Sequence, residues 1–239
     1  ATVYPAGVKD FQEWGFGNKA RYVGPMINPE FSRSVSDKDK GRFRWVKGIY
    51  DLRGKFVLFA PHTIYANKGQ LEMLKALRVL KNKGLAVALV ISSREKHPQY
   101  YQELKDYAVS SGLAYKVVGI DELGNSSEVK DAGQSEFEAV DIVFIENGLS
   151  HNVLPVFYQS VDLHLLASFK EAFGLSCAES WLMGVAVVAP DVGGVKYAYK
   201  PKFRNLFLFR PGSDSQEHTA HLVETLERVI ALPVSTLQA

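Results

Sequence analysis

A single cysteine, Cys177, stands among 239 residues. It excludes an intrachain disulfide and fits a reducing compartment, so a cytoplasmic location is expected. No stretch reaches the ~18 consecutive apolar residues of a membrane-spanning helix. Neither sign of charge dominates. Lys and Arg number 28 against 26 Asp and Glu, and a net charge of +2 gives no reason to expect a nucleic-acid partner. The six histidines and the lone cysteine form no cluster at metal-ligand spacing, so no metal site is expected.

What the chain has in quantity is the makings of a core. Hydrophobic residues are 46% of the total and charged residues 23%, the balance of a soluble globular chain. Short apolar runs alternate with helical patterns. Strands are expected at 56–59, 86–91, 115–118, 142–145, 163–167, 186–189 and 206–209. Helices are expected between them, including 100–110 and a last one from Ser215 to Leu232, ended by Pro233. Leu71, Leu74, Leu77, Val79 and Leu80 form the apolar face of one helix, and Leu222, Leu226, Val229 and Ile230 that of the last. The alternation predicts an α/β fold, a doubly wound parallel sheet of the Rossmann-like kind covered on both faces. Ligands of such sheets bind outside the carboxyl ends of the strands.

The most informative stretch is SFKEAFGLSCAESWLMGVAVVAPDVGG. A strand-like run, Val161 to Ala167, leads to Glu171. A helix start at Gly174 follows, then Glu179, another apolar strand and the Gly193-Gly194 turn. Main-chain N–H groups at a helix start are unpaired and partly positive. Those around Ala172-Phe173-Gly174-Leu175 would face an anion, and Gly174 permits close approach. Gly174 to Glu179 spans roughly 7.5 Å along a helix at 1.5 Å per residue, about the reach from a diphosphate to a ribose. A carboxylate accepts two hydroxyl protons at once. The two glutamates, about 80° out of register on a continuous helix, suit two ends of one extended ligand better than an acid/base pair. A solvated helix face remains the plain alternative.

This stretch resembles the retaining GT-B glycosyltransferases of glycosyltransferase family four, through Glu171, Phe173-Gly174-Leu175, Glu179 and Asp191-Val192-Gly193-Gly194. The resemblance implies the C-terminal, donor-binding half of a GT-B fold. It implies that Glu171 contacts the donor sugar, Glu179 the ribose, and the amides of Phe173, Gly174 and Leu175 the diphosphate and sugar. After the expected strand at 55–60, Asn67-Lys68-Gly69 matches the family's Lys-Gly, so Lys68 is implied to hold the diphosphate. The family's arginine there is missing; His62 and Thr63 are the nearest residues. His62 is expected to donate a hydrogen bond as a largely neutral imidazole. The family places the nucleobase beside the loop after the 142–145 strand, where Leu149 and Leu154 are candidates and core packing is the competing explanation. Other departures are Ala186 where the family has proline and Lys196-Tyr197 where it has an acid.

Residues 1–45 are read as an N-terminal extension and interdomain connector, with Val23 to Phe31 carrying the connector resemblance. Residues 46–239 are read as the nucleotide-sugar binding domain, with the acceptor domain absent. The expected function is the donor half of a retaining, metal-independent hexosyltransferase, inactive when isolated. Expected partners are a nucleotide-sugar donor, an unidentified glycan, lipid or small-molecule acceptor, and the missing N-terminal domain. Residues 1–50 carry nine Lys and Arg against five Asp and Glu. This bias leaves contact with an acidic membrane open, although a solvated connector is the plainer reading. Asp37-Lys38-Asp39 mimics a metal-binding Asp-x-Asp but follows no apolar strand. Gly15-Phe16-Gly17 is too short for a phosphate loop, and Asn125-Ser126-Ser127 matches a glycosylation acceptor by pattern only. No cofactor is expected, since no segment suggests a pyridoxal-phosphate lysine. The alternatives are a binding module without transfer activity and a different GT-B enzyme such as a phosphorylase or epimerase.

Overall fold

The computed structural model describes residues 27–32, 52, 54–120, 126–128, 140–195, 207–233 and 237. Gly15-Phe16-Gly17, Val23 to Met26, Asp37-Lys38-Asp39, Asn125 and Lys196-Tyr197 lie outside them.

The chain runs β1 (Phe56–Ala60), α1 (Gln70–Asn82), β2 (Val87–Ser92), α2 (Pro98–Ser110), β3 (Tyr115–Ile120), β4 (Ser126–Glu128), β5 (Ile142–Ile145), α3 (Leu154–Tyr158), β6 (Leu163–Leu165), α4 (Leu175–Leu182), β7 (Val187–Pro190), β8 (Leu208–Phe209) and α5 (Ser215–Ile230). The strands form one sheet in the order β4-β3-β5-β2-β1-β6-β7-β8. Every pairing is parallel except β3 with β4, an antiparallel edge that the sequence reading did not foresee.

Side chains alternate across each strand with period two. Leu58, Ala60, Leu89, Ile91, Ile142 and Phe144 join one core with Leu74, Leu77 and Leu80 of α1, Leu104 of α2, and Leu222, Leu226 and Val229 of α5. Val57, Phe59, Ala88, Val90, Val143 and Ile145 face the other core with Phe157 and Tyr158 of α3, and Phe31 from the turn Pro29–Ser32. Both faces are therefore dry, which is why these strands read as continuous apolar runs. Val79, read from sequence as part of the apolar face of α1, stands 36% exposed, because 3.6-residue geometry carries it off the stripe that Leu77 and Leu80 bury. α5 begins with an Asp214 cap on the Glu217 N–H (2.8 Å), and Glu217 accepts in return from the Ser213 N–H (2.7 Å). Among the described residues no helix is long and apolar enough to cross a membrane.

The site is set by one topological fact. β1 and β6 are neighbours, but the chain leaves β1 toward β2 on one side and leaves β6 toward β7 on the other. Their carboxyl-end loops diverge and open a crevice. The loop after β1 carries Lys68 and the loop after β6 carries Glu171. The two loops touch at Gly69, whose left-handed φ of 71° starts α1 and whose missing side chain leaves room for the Ala167 carbonyl.

A Cβ at Gly69 would collide with that carbonyl, whereas one at Gly84, with φ of 79°, would meet open space. Gly84→Ala should cost about 1–2 kcal/mol of unfolding free energy, the ordinary left-handed penalty. Gly69→Ala should cost roughly 2–4 kcal/mol, because backbone must also move. Equal losses in urea denaturation would contradict this contact.

Candidate functional site

Glu171 lies on the loop after β6, against the loop after β1. Its Oε1 accepts from Lys68 Nζ at 2.5 Å and from Ser168 Oγ at 3.0 Å. The pair is mostly enclosed, with side-chain exposures of 23% for Lys68 and 12% for Glu171. An ion pair so enclosed depends on both partners, since losing one strands the other's charge away from water. Lys68 ends a short 3-10 turn, Ala66–Lys68, and its N–H donates to Tyr65 O (2.8 Å).

The backbone beneath Glu171 is held from two further directions. Phe169 N–H donates to Asn67 O at 3.0 Å, which ties the β6 loop to the β1 loop. Gly194 N–H donates to Ala172 O at 2.6 Å, and a Cβ on Gly193 (φ 53°) would strike the Glu171 carbonyl. The Gly-Gly turn after β7 is thus a close-fitting wall behind Glu171. This explains the turn's chemistry without giving it ligand contact.

α4 begins as the sequence suggested. Gly174 is its N-cap, with φ 75°, ψ 63° and no side-chain cap. Cys177 and Ala178 N–H groups close onto Gly174 O. No partner among the described residues takes the N–H groups of Leu175 and Ser176, which remain available to an anion. Phe173 is half-buried on the approach, and the Leu175 side chain is 49% exposed.

Glu179 follows one turn later. It is half-buried, pairs with no cation among the described residues, and burial pushes its carboxyl up to about 7. Cys177 is fully buried, as a small core residue. Burial raises its thiol first, Glu171 and Glu179 raise it further, and Lys68 lowers it. Both acids and the lysine therefore lie within electrostatic reach of one sulfur. Tyr158, beneath them, donates from its hydroxyl to Ser176 O at 3.2 Å.

His62 is buried beside this cluster. Burial drives it down to about 4, against a smaller opposing pull from Glu171, so it is neutral at physiological pH. Its Nε2 lies 3.2 Å from Leu165 O and 3.2 Å from Nε2 of the buried His164, which leaves Nδ1 for any ligand. Leu149 is 7% exposed and packs in the core on the α3 side of the sheet, with Leu154 half-buried against it. Leu149 O also accepts from Arg94 (3.2 Å). Sequence reading missed Ser168 and His164. Ser168 was findable as a hydroxyl three residues before Glu171, whereas nothing in the sequence pairs His164 with His62.

Two surface hollows, of about 700 and 380 Å³, lie along α5 and include none of Lys68, Glu171 or Glu179. Among the described residues no three acidic, His or Cys side chains are grouped to hold a metal ion.

The family model of glycosyl transferases group 1 matches residues 42–230. The chain belongs to that family. It is 24% identical over 199 residues to an uncharacterized glycosyltransferase of Methanocaldococcus jannaschii, covering 83% of this chain and 43% of that one. The chain thus spans less than half the length of that curated relative. The C-terminal domain of a glycosyl transferase group 1 family protein (LpcC) of Francisella tularensis has the same fold, with a TM-score of 0.60 at 21% identity over 90% of this chain and 91% of that domain. Anabaena HepE, solved in complex with UDP, matches with a TM-score of 0.65 at 20% identity over 99% of this chain and 60% of that one. The sheet of this glycosyltransferase domain is therefore Rossmann-like and matches GT-B glycosyltransferase structures.

The raised Glu179 carboxyl has a defined sign. Its folded value lies above the usual 4.5, so between about 4.5 and 7 the native state keeps a proton that the unfolded chain has released. The destabilisation is absent at the acid end of that window and complete above it. Glu179→Gln should therefore raise the unfolding free energy at pH 8 by on the order of 1 kcal/mol after allowance for solvent screening, with little change at pH 4.5. A variant no more stable than the parent at pH 8 would contradict the half-buried, unpaired carboxylate.

Proposed function

We propose that this domain binds a nucleoside-diphosphate hexose in the crevice between β1 and β6, and that the whole protein transfers the hexose with retention of anomeric configuration. The contact of Lys68 with Glu171, beside the uncapped start of α4, carries this reading. It sets a cation and free main-chain donors beside a carboxylate able to take sugar hydroxyls. Glu179, one turn along α4 and without a cation among the described residues, suits the ribose. The solved complexes of Anabaena HepE with UDP and with UDP-glucose support this class of donor.

The chemistry follows from charge. The bond between the anomeric carbon and the diphosphate oxygen breaks, and its electron pair leaves with the diphosphate. The acceptor oxygen forms the new bond on the same face, and its proton passes to the departing oxygen. Lys68 and the Leu175 and Ser176 amides meet the developing negative charge, a preorganised electrostatic role that in this reading replaces a metal ion. Glu171 holds sugar hydroxyls and is not a covalent nucleophile. In the free domain Lys68 is already engaged by Glu171, so the diphosphate competes with that carboxylate for the ammonium.

A second reading, a nucleotide-sugar binding module without transfer, draws on His62. A neutral imidazole stands near where family resemblance leads one to expect an arginine, so one unit of charge neutralisation is missing. Release of nucleoside diphosphate by the whole protein separates the two readings.

Titration calorimetry with UDP-, GDP- and ADP-glucose should show binding of one of them to this chain, and silence with all three would contradict the reading. Lys68→Ala should weaken the nucleoside diphosphate about tenfold, the equivalent of one charge-assisted contact. Glu179→Ala should do the same. Glu171→Ala should leave nucleoside diphosphate affinity equal or higher, because Lys68 is released, while removing any gain from the hexose. A Glu171 variant that loses nucleoside diphosphate binding as Lys68→Ala does would reject the division of roles.

A further inference from the structure

The carboxyl end of β6 has a partner far along the chain. His218, in the first turn of α5, is fully buried. Its Nε2 is 2.9 Å from Ala167 O, and its Nδ1 is 3.3 Å from Gly212 N. A carbonyl only accepts and a main-chain amide only donates, so both ring nitrogens are assigned. Nε2 carries the proton and donates to Ala167, while Nδ1 accepts from the Gly212 N–H. The ring also lies 4.3 Å from that of Phe169, tilted by 33°, with Phe209 edge-on at 5.0 Å.

Those contacts bracket the segment that ends in Glu171. Ala167 O is the carbonyl that Gly69 accommodates from the opposite side. Phe169 is the residue whose N–H crosses to Asn67, next to Lys68. Ser168, between them, donates to the Glu171 carboxylate. A side chain from the last helix therefore grips two of the four residues that precede Glu171. Burial lowers His218 below the usual imidazole range, with Glu72 of α1 and Ala167 O opposing and His221 of α5 reinforcing, so the single neutral tautomer persists at physiological pH.

We propose that His218 is a positioning residue for the donor sugar: through Ala167 and Phe169 it fixes the loop that presents Glu171 to Lys68, so α5 sets how well the hexose, rather than the diphosphate, is held. The sugar role of Glu171 rests on the function proposed above; the anchoring of the loop does not.

Two substitutions divide the bonds of the ring. In His218→Gln the amide nitrogen reaches the place of Nε2 and still donates to Ala167 O. In His218→Asn the shorter amide keeps only the Gly212 side. Amide hydrogen exchange needs no ligand. In His218→Asn the Phe169 amide should exchange at least tenfold faster, in His218→Gln it should return toward the parent rate, and the Leu89 amide, bonded to Asp141 O in the sheet interior, should not change in either. By calorimetry, His218→Asn should lose the affinity advantage of UDP-glucose over UDP about five- to tenfold while binding UDP within twofold of the parent, and His218→Gln should restore it. Parent-like Phe169 exchange in His218→Asn, equal effects of Asn and Gln, or equal loss of UDP and UDP-glucose would each overturn the proposal. If the parent binds GDP- or ADP-glucose instead, the same comparison is made with that nucleotide; if it binds none of the three, the donor-binding reading fails, and the exchange rates still decide whether His218 anchors the loop.

Discussion

The ion pair between Lys68 and Glu171 spans the one place where the sheet divides. Its partners come from adjacent strands whose following loops run in opposite directions, so no regular hydrogen-bond ladder joins those loops. What joins them is a small set of specific contacts: Lys68 with Glu171, Phe169 N–H with Asn67 O, and the Ala167 carbonyl against Gly69. The crevice is a break in the sheet's own logic, stitched by one ion pair and by main-chain contacts. The same break gives the free ends of helices and loops that an anion can approach.

Everything around that pair serves either rigidity or charge. Gly193 and Gly194 press on the backbone of Glu171 and Ala172 from behind, and His218 grips Ala167 and Phe169 from α5. Against this rigid support stand groups that no described residue satisfies: the Leu175 and Ser176 amides, and a Glu179 carboxylate without a cation among the described residues. Burial of an unpaired carboxylate is unfavourable in the free domain. Such local destabilisation is a recurrent mark of residues kept for a ligand rather than for the fold. His62 shows the reverse, a titratable ring made inert by burial.

Burial on both faces made the interior strands legible in the sequence, as continuous apolar runs. Ile142–Ile145 appears with the expected bounds, β2 and β7 shift by one residue, and β1 runs one residue longer. The helix start at Gly174 was readable because a glycine follows an apolar strand and precedes an amphipathic run. Three things were not legible. The antiparallel β4 is three residues long and pairs only at an edge, where neither hydrophobicity nor alternation is demanded. Val79 misled because hydrophobicity alone does not give angle around a helix. The supports of Glu171 were hidden for a different reason: Lys68 pairs with it across 103 residues, Gly193 lies against its carbonyl, and His218 grips Ala167 and Phe169 before it, a meeting that only the strand order brings about. Glu171 and Glu179 were recognisable as a pair through spacing and resemblance, but the close approach of Lys68 to Glu171 is a property of the fold.

The measurement that bears most directly on this account is a crystal structure of the chain soaked with UDP-glucose. The account requires the terminal phosphate to lie within hydrogen-bond distance of the Leu175 and Ser176 N–H groups and of Lys68 Nζ, with the hexose on Glu171 and the ribose hydroxyls on Glu179. A nucleotide bound elsewhere, or bound in the crevice with its phosphates remote from Lys68 and from the start of α4, would contradict it.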